Sequence, residues 1–214
     1  MIYELLTLDL KPRAIPQVED ALRCAHEATG AAEDLIGSFH SEFGPLNQII
    51  QIRRYAGLAE RDRIVRARAE ATAQWHEAVS EHVLRAMTEI MQPVSFSPVL
   101  EPGRLGPFYE LRTYTFPLGT LPKMMSAWER AMPMRDALGS PVAAIWSCQI
   151  GALNTLTHLW PYPSLEVREE IRREIRIGGK WPPYRLDEQE GGTGYDLLGQ
   201  MNKLMLPANF SPLQ

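Results

Sequence analysis

The chain repeats itself, and the repeat limits its architecture more than any other feature. Ile2-Tyr3-Glu4-Leu5-Leu6-Thr7 returns 106 positions later as Phe108-Tyr109-Glu110-Leu111-Arg112-Thr113. Pro16 and Ala25 meet Pro122 and Ala131 at the same shift. With a shift of 107, Gly44, Leu46, Asn47, Tyr55, Arg61 and Ile64 meet Gly151, Leu153, Asn154, Tyr162, Arg168 and Ile171. With a shift of 114, Met87, Met91 and Phe96-Ser97-Pro98 meet Met201, Met205 and Phe210-Ser211-Pro212. Matches that keep their order across a whole half mark a tandem duplication. The halves are residues 1–101 and 107–214, with 102–106 as linker. The last jump in shift places about seven extra residues between Arg173 and Met201, in a stretch dense in Gly and Pro that suits a loop.

Each half predicts the same order of elements. A strand (2–9 or 107–116) precedes a helix (14–29 or 119–138). A strand pair follows, 35–43 with 47–54 and 142–150 with 154–160, turning at Gly44-Pro45 and Gly151-Ala152. A helical region comes next, 58–91 or 164–205, and the half closes on a strand at Val94–Leu100 or Ala208–Leu213. The class is α+β, and each half is a ferredoxin-like β-α-β-β-α-β unit. Such a unit leaves one sheet face bare. Packing the two bare faces together gives an eight-stranded pseudo-twofold barrel.

Composition narrows the partners. The net charge of −4 argues against a nucleic-acid binder, and the basic runs around Arg61–Arg68 and Arg168–Arg176 are interleaved with acids. No segment approaches the roughly 20 apolar residues of a membrane-spanning helix. Residues 1–7 read as a strand and not as a signal peptide. Cys24 and Cys148 form neither a disulfide framework nor a metal set, and HExxH, CxxC and Walker patterns do not occur. These readings predict a cytoplasmic protein with no bound metal.

Tyr109-Glu110-Leu111-Arg112-Thr113-Tyr114 resembles the opening signature of the NIPSNAP family. Gly151-Ala152-Leu153-Asn154, His158-Leu159-Trp160-Pro161-Tyr162 and Ser164-Leu165 with Arg168 resemble its second block. The first half departs from the pattern, with Leu6, Leu8, Gln51 and Arg53 where the second has Arg112, Tyr114, His158 and Trp160. The resemblance implies the dimeric α/β barrel superfamily. It implies no particular reaction, because relatives on that barrel include cofactor-independent monooxygenases, haem-binding enzymes and small-molecule isomerases.

Strand alternation sorts the candidate residues. Glu110, Arg112 and Tyr114 share one strand face, as do Asn154, His158 and Trp160. The opposite face, with Leu159 and its counterpart Ile52, is the more apolar and is assigned to the helices. The first set is then expected inside the barrel, where His158 acts as acid or base, Arg112 and Asn154 stabilise an anion, and Glu110, Tyr114, Trp146 and Trp160 hold a small organic ligand. No cofactor is required, although His158 is the best candidate for an axial haem ligand. The loop at 178–194, with Trp181-Pro182-Pro183-Tyr184, is a candidate lid. The competing reading is a homo-oligomeric binding or scaffold protein in which these residues only support the fold.

Overall fold

In a computed structural model, residues 1–30, 34–178 and 197–214 are described. The first half contains β1 (Ile2–Leu10), α1 (Ile15–Thr29), β2 (Leu35–Phe43), β3 (Gln48–Tyr55), α2 (Leu58–Ser80) and β4 (Val83–Pro93). The second contains β5 (Phe108–Thr115), α3 (Leu121–Ala137), β6 (Ala144–Ile150), β7 (Thr155–Tyr162), α4 (Leu165–Gly178) and β8 (Gly199–Pro207). Pro16 and Pro122 stand at the first turn of α1 and α3, where a missing N–H costs nothing. Gly30 ends α1 in the left-handed conformation.

The strands close into one barrel in the order β1-β3-β2-β8-β5-β7-β6-β4, with every pair antiparallel. Each half supplies four neighbouring strands, and the halves join where β2 meets β8 and β4 meets β6. Those two seams are equivalent under the repeat. The α+β class and the two-unit barrel expected from the duplication are therefore observed. No helix among the described residues is long and apolar enough to cross a membrane.

The closing strands lie earlier than expected. Val83–Pro93 and Gly199–Pro207 are strands, so the helical readings through 91 and 205 overshoot. Val83, Ala86 and Ile90 share a spacing of three and four by coincidence, while β4 pairs with β1 in register from Asp9↔Arg85 to Tyr3↔Met91 and, past one irregularity, at Leu10↔Val83. The stretches expected as closing strands are irregular tails. Leu100 N–H donates to the Tyr3 hydroxyl (3.2 Å), and the Tyr109 hydroxyl donates to the Gln214 carbonyl (3.1 Å), so each tail returns to its own half's first strand. The linker also meets the second tail, with Gly103 N–H donating to the Pro212 carbonyl and Gln214 N–H to the Gly103 carbonyl.

The barrel interior is packed with side chains. Tyr3, Leu5, Phe39, Ile50 and Ile52 from the first half meet Tyr109, Leu111, Trp146, Leu159 and Met205 from the second. The aromatics cross between halves in equivalent pairs, Tyr3 with Trp146 (5.3 Å between centroids) and Phe39 with Tyr109 (4.9 Å). An eight-stranded barrel is just narrow enough for such filling. A second apolar layer in each half lies outside the barrel, between sheet and helices.

Candidate functional site

The facing expected from alternation is inverted. Tyr109, Leu111 and Leu159 point into the barrel with Trp146. Tyr114, Leu156 and Trp160 point out to the layer shared with Met124, Trp128 and Met132 of α3 and with Ile171 and Ile175 of α4. The ring of His158 joins that outer layer, 4.9 Å from Tyr114 and 4.5 Å from Trp128. The more apolar strand face seeks the driest place, and in a paired-sheet barrel that is the interior. A helix layer with open edges tolerates charge.

In that outer layer Glu110 is fully buried and organises the charge. The Arg168 guanidinium on α4 donates to its Oε1 at 2.5 Å, and the Tyr162 hydroxyl donates to Oε2 at 3.4 Å. Arg112 Nη1 and Arg172 Nη1 lie 3.5 and 3.7 Å from the same Oε1. Burial alone would raise the carboxyl pKa, but the hydrogen bond from Arg168 and the three cationic charges outweigh it and hold it below its ordinary value. Burial and the charge of Arg112 push the pKa of Arg172 down.

The carboxylate, phenol and first arginine recur in the other half. Arg61 donates to Glu4 Oε1 at 2.6 Å and Tyr55 to Glu4 Oε2 at 3.2 Å. This shared triad ties the second helix of each half to the sheet, so its first role is structural. Arg112 and Arg172 are additions, since Leu6 and Val65 occupy the equivalent places. Three guanidinium groups thus gather on one carboxylate in the second half, where the first half has one on its Glu4.

His158 is 1% exposed. Its Nδ1 accepts from Trp160 Nε1–H at 2.5 Å, so the proton of the neutral ring resides on Nε2, which has no partner among the described residues. Burial, then the charges of Arg112 and Arg135, drive its pKa well below the ordinary value. In this arrangement neither ring nitrogen offers a free lone pair. The neutral ring presents Nε2–H as a hydrogen-bond donor. The same geometry does not fit an axial haem ligand, because Nε2 carries the proton and Tyr114 and Trp128 flank the ring.

The remaining candidates separate. Trp160 lies under the Arg135 guanidinium, whose Cζ is 3.9 Å from the ring centroid. Tyr114 lies 5.3 Å from the Arg112 Cζ. Trp146 is across the sheet, inside the barrel. Asn154 sits in the β6–β7 turn at φ 57°, as Asn47 does in the β2–β3 turn at φ 55°. Its carbonyl accepts from Phe116 N–H, as that of Asn47 does from Leu10 N–H. Four residues of extended strand put it about 13 Å from His158, so it is a turn residue outside the cluster. Beyond residue 178 the candidate lid lies outside the described residues.

Sequence reasoning missed Arg172, Arg135 and Trp128. Arg172 had a readable signal in the contrast with Val65 at the equivalent position. The first-half layer was also missed. It holds a cavity of about 240 Å³ between α1, α2 and the sheet. Among the described residues, no group of His, Cys, Asp and Glu is arranged to hold a metal ion.

The comparisons with known proteins agree with the repeat. The sequence profile of the NIPSNAP family matches residues 3–98 and again 109–212. Mouse Protein NipSnap homolog 2 is 27% identical over the whole chain, which spans 76% of that protein. Human Protein NipSnap homolog 3B is 26% identical over 99% of the chain and 85% of its own length. Among solved structures, a Lactobacillus acidophilus protein described only as a candidate monooxygenase superposes with a TM-score of 0.63. It is 15% identical, with 96% of this chain and 93% of that one covered. A Fusobacterium nucleatum protein described in the same way reaches 0.67 at 6% identity, covering 96% and 91%. At these identities the likeness concerns the fold.

Proposed function

The chain belongs to the NIPSNAP family, and on that premise we propose that its second half binds a small organic acid between the sheet and helices α3 and α4. The carboxylate of the ligand meets Arg112 and Arg172, and a second oxygen accepts from His158 Nε2–H, which is sheltered in the free protein and is reached as the Tyr114 ring moves aside. The observation that carries this reading is the excess of positive charge around Glu110 among the described residues, where three arginines share one carboxylate. Partly buried charge of one sign is costly without a counterion, and a bound anion supplies one. Tyr114 and Trp160 add aromatic surface for a planar ligand.

Cofactor-free chemistry follows from such binding. A neutral imidazole donor beside guanidinium groups stabilises negative charge that develops on a carbonyl or phenol oxygen. The dioxygen chemistry named for the Lactobacillus and Fusobacterium proteins would use a substrate anion held in this way. The proposed compartment is the cytoplasm, supported by the two unpaired cysteines. Thermal shift tests the ligand class. Salicylate, with carboxylate and hydroxyl, should raise the melting temperature more than benzoate, and salicylamide should have no effect. Equal shifts from all three would remove the assigned roles of Arg112, Arg172 and His158.

One observation favours a second reading, assembly with further copies. Along β4 the edge not paired to β1 is free from Val83 to Glu89, and along β8 the edge not paired to β5 is free from Gly199 to Lys203, among the described residues. Both edges carry exposed apolar side chains, Met87 and Met201, beside the exposed hairpin residues Ile150 and Phe43. These are equivalent positions of the repeat. Met87→Lys with Met201→Lys should reduce the mass measured by light scattering if the edges join copies, and an unchanged mass would remove this reading.

A further inference from the structure

The first-half cavity is a different environment from the second-half layer. Its apolar wall is made by Leu6, Leu22, Ile64 and Val65. One polar side is an ordered network. Asp34 accepts from Arg53 Nη1 at 2.8 Å, from Arg68 Nη1 at 2.5 Å and from the Tyr55 hydroxyl at 3.0 Å. Arg53 Nη2 also donates to Gln51 Oε1 and to His26 Nε2.

Among the described residues the network leaves donors over. His26 Nε2 accepts from Arg53, so the neutral ring carries its proton on Nδ1, a sheltered atom that has no partner among them. Burial, then the charge of Arg53, lowers the His26 pKa to about 4, which keeps the ring neutral near pH 7. Arg68 engages Asp34 through one nitrogen only, and its other guanidinium N–H groups make no side-chain hydrogen bond among the described residues. Arg61 is balanced by Glu4 and the exposed Asp62, whereas Arg53 and Arg68 share the single carboxylate of Asp34, so the local excess of positive charge lies on that pair. A volume near 240 Å³ is below the usual range of about 300–1,000 Å³ for drug-sized ligands.

We propose that this cavity is a second binding site, selective for a small organic monocarboxylate. The carboxylate receives the unengaged N–H groups of Arg68, and the apolar body lies against Leu6, Leu22, Ile64 and Val65. The site is independent of the second-half layer, which lies on the other repeat and has neither Arg53 nor Arg68 at its equivalent positions, Trp160 and Ile175.

The test is a fluorine NMR titration with 4-fluorobenzoate, 4-fluorobenzamide and 4-fluorobenzylamine, on the natural protein and on an Arg112→Leu/Arg172→Val protein in which the second-half layer lacks its extra charge. The expected result is saturable binding of the benzoate in both proteins, with the amide and amine at least ten-fold weaker. In the Arg112→Leu/Arg172→Val background, Arg68→Met should weaken the benzoate at least ten-fold. In the same background Leu6→Phe, which fills the cavity and keeps every charge, should abolish binding with the melting temperature preserved, and it serves as the readout if Arg68→Met fails to fold. Equal binding of acid and amide overturns the proposal. So does benzoate binding that survives Leu6→Phe in that background, or that is absent from the Arg112→Leu/Arg172→Val protein itself.

Discussion

A histidine sealed between Tyr114, Trp128 and Trp160 is an expensive side chain to protonate, and that cost is measurable. The unfolded chain takes up a proton on this ring near pH 6.5, while the folded chain does so only well below it. Between those values the unfolded state binds more protons, so stability falls as pH drops from about 6.5. His158→Gln places the first half's own residue, Gln51, at this position. Denaturant melts at pH 7 and pH 5 should show a smaller loss of stability in this variant than in the natural protein. An identical loss would mean that the ring is not held neutral. At this scale the sequence was partly legible. Glu110, Tyr162 and Arg168 stand out because Glu4, Tyr55 and Arg61 repeat them. What the repeat could not disclose is that His158 uses one nitrogen on Trp160, since that bond depends on the facing of β7.

Elements show where sequence patterns succeed and where they mislead. The hairpin turns were readable because their backbone demands particular residues. Gly44 and Gly151 adopt φ of 98° and 129°, and a Cβ on Gly44 would lie 2.5 Å from the Asn202 carbonyl oxygen. On Gly151 it would lie 2.9 Å from Glu89 Cγ, a side chain with room to move. Gly44→Ala should therefore cost about 1–3 kcal/mol, the range for backbone strain, and Gly151→Ala less than Gly44→Ala. Urea denaturation of the two variants checks the order, and a larger cost at Gly151 would contradict it. The strands β4 and β8 were not readable from periodicity. Their first halves extend past the seam and expose Leu84, Met87 and Met201, so they lack the alternation of a half-buried strand. The face assignment on β5 and β7 failed for a related reason. It took the more apolar face to be the one under the helices, whereas closing two sheets into a barrel makes the interior the drier side.

For the whole molecule, the duplication builds one barrel and two unlike outer layers. The barrel belongs to both halves, since Tyr3 packs on Trp146 and Phe39 on Tyr109. Residues 107–214 alone would expose Tyr109, Leu111, Trp146 and Leu159, and that fragment should self-associate or fail to fold. Size-exclusion chromatography with Trp146 emission checks this, and a folded monomer with Trp146 still shielded would contradict it. The outer layers carry the divergence. Arg112 and Arg172 replace Leu6 and Val65, and His158 replaces Gln51, while the first half has Arg53 and Arg68 where the second has Trp160 and Ile175, so two different charged layers stand on one shared scaffold. The most direct test of this account is calorimetric titration of salicylate into the natural protein and into Arg112→Leu/Arg172→Val, which restores the first half's residues at both positions. The natural protein should bind one more salicylate per chain than the variant, with the melting temperature of the variant within a few degrees, because the Glu110–Arg168–Tyr162 triad is intact. Equal stoichiometry and affinity in the two proteins would contradict a second-half site.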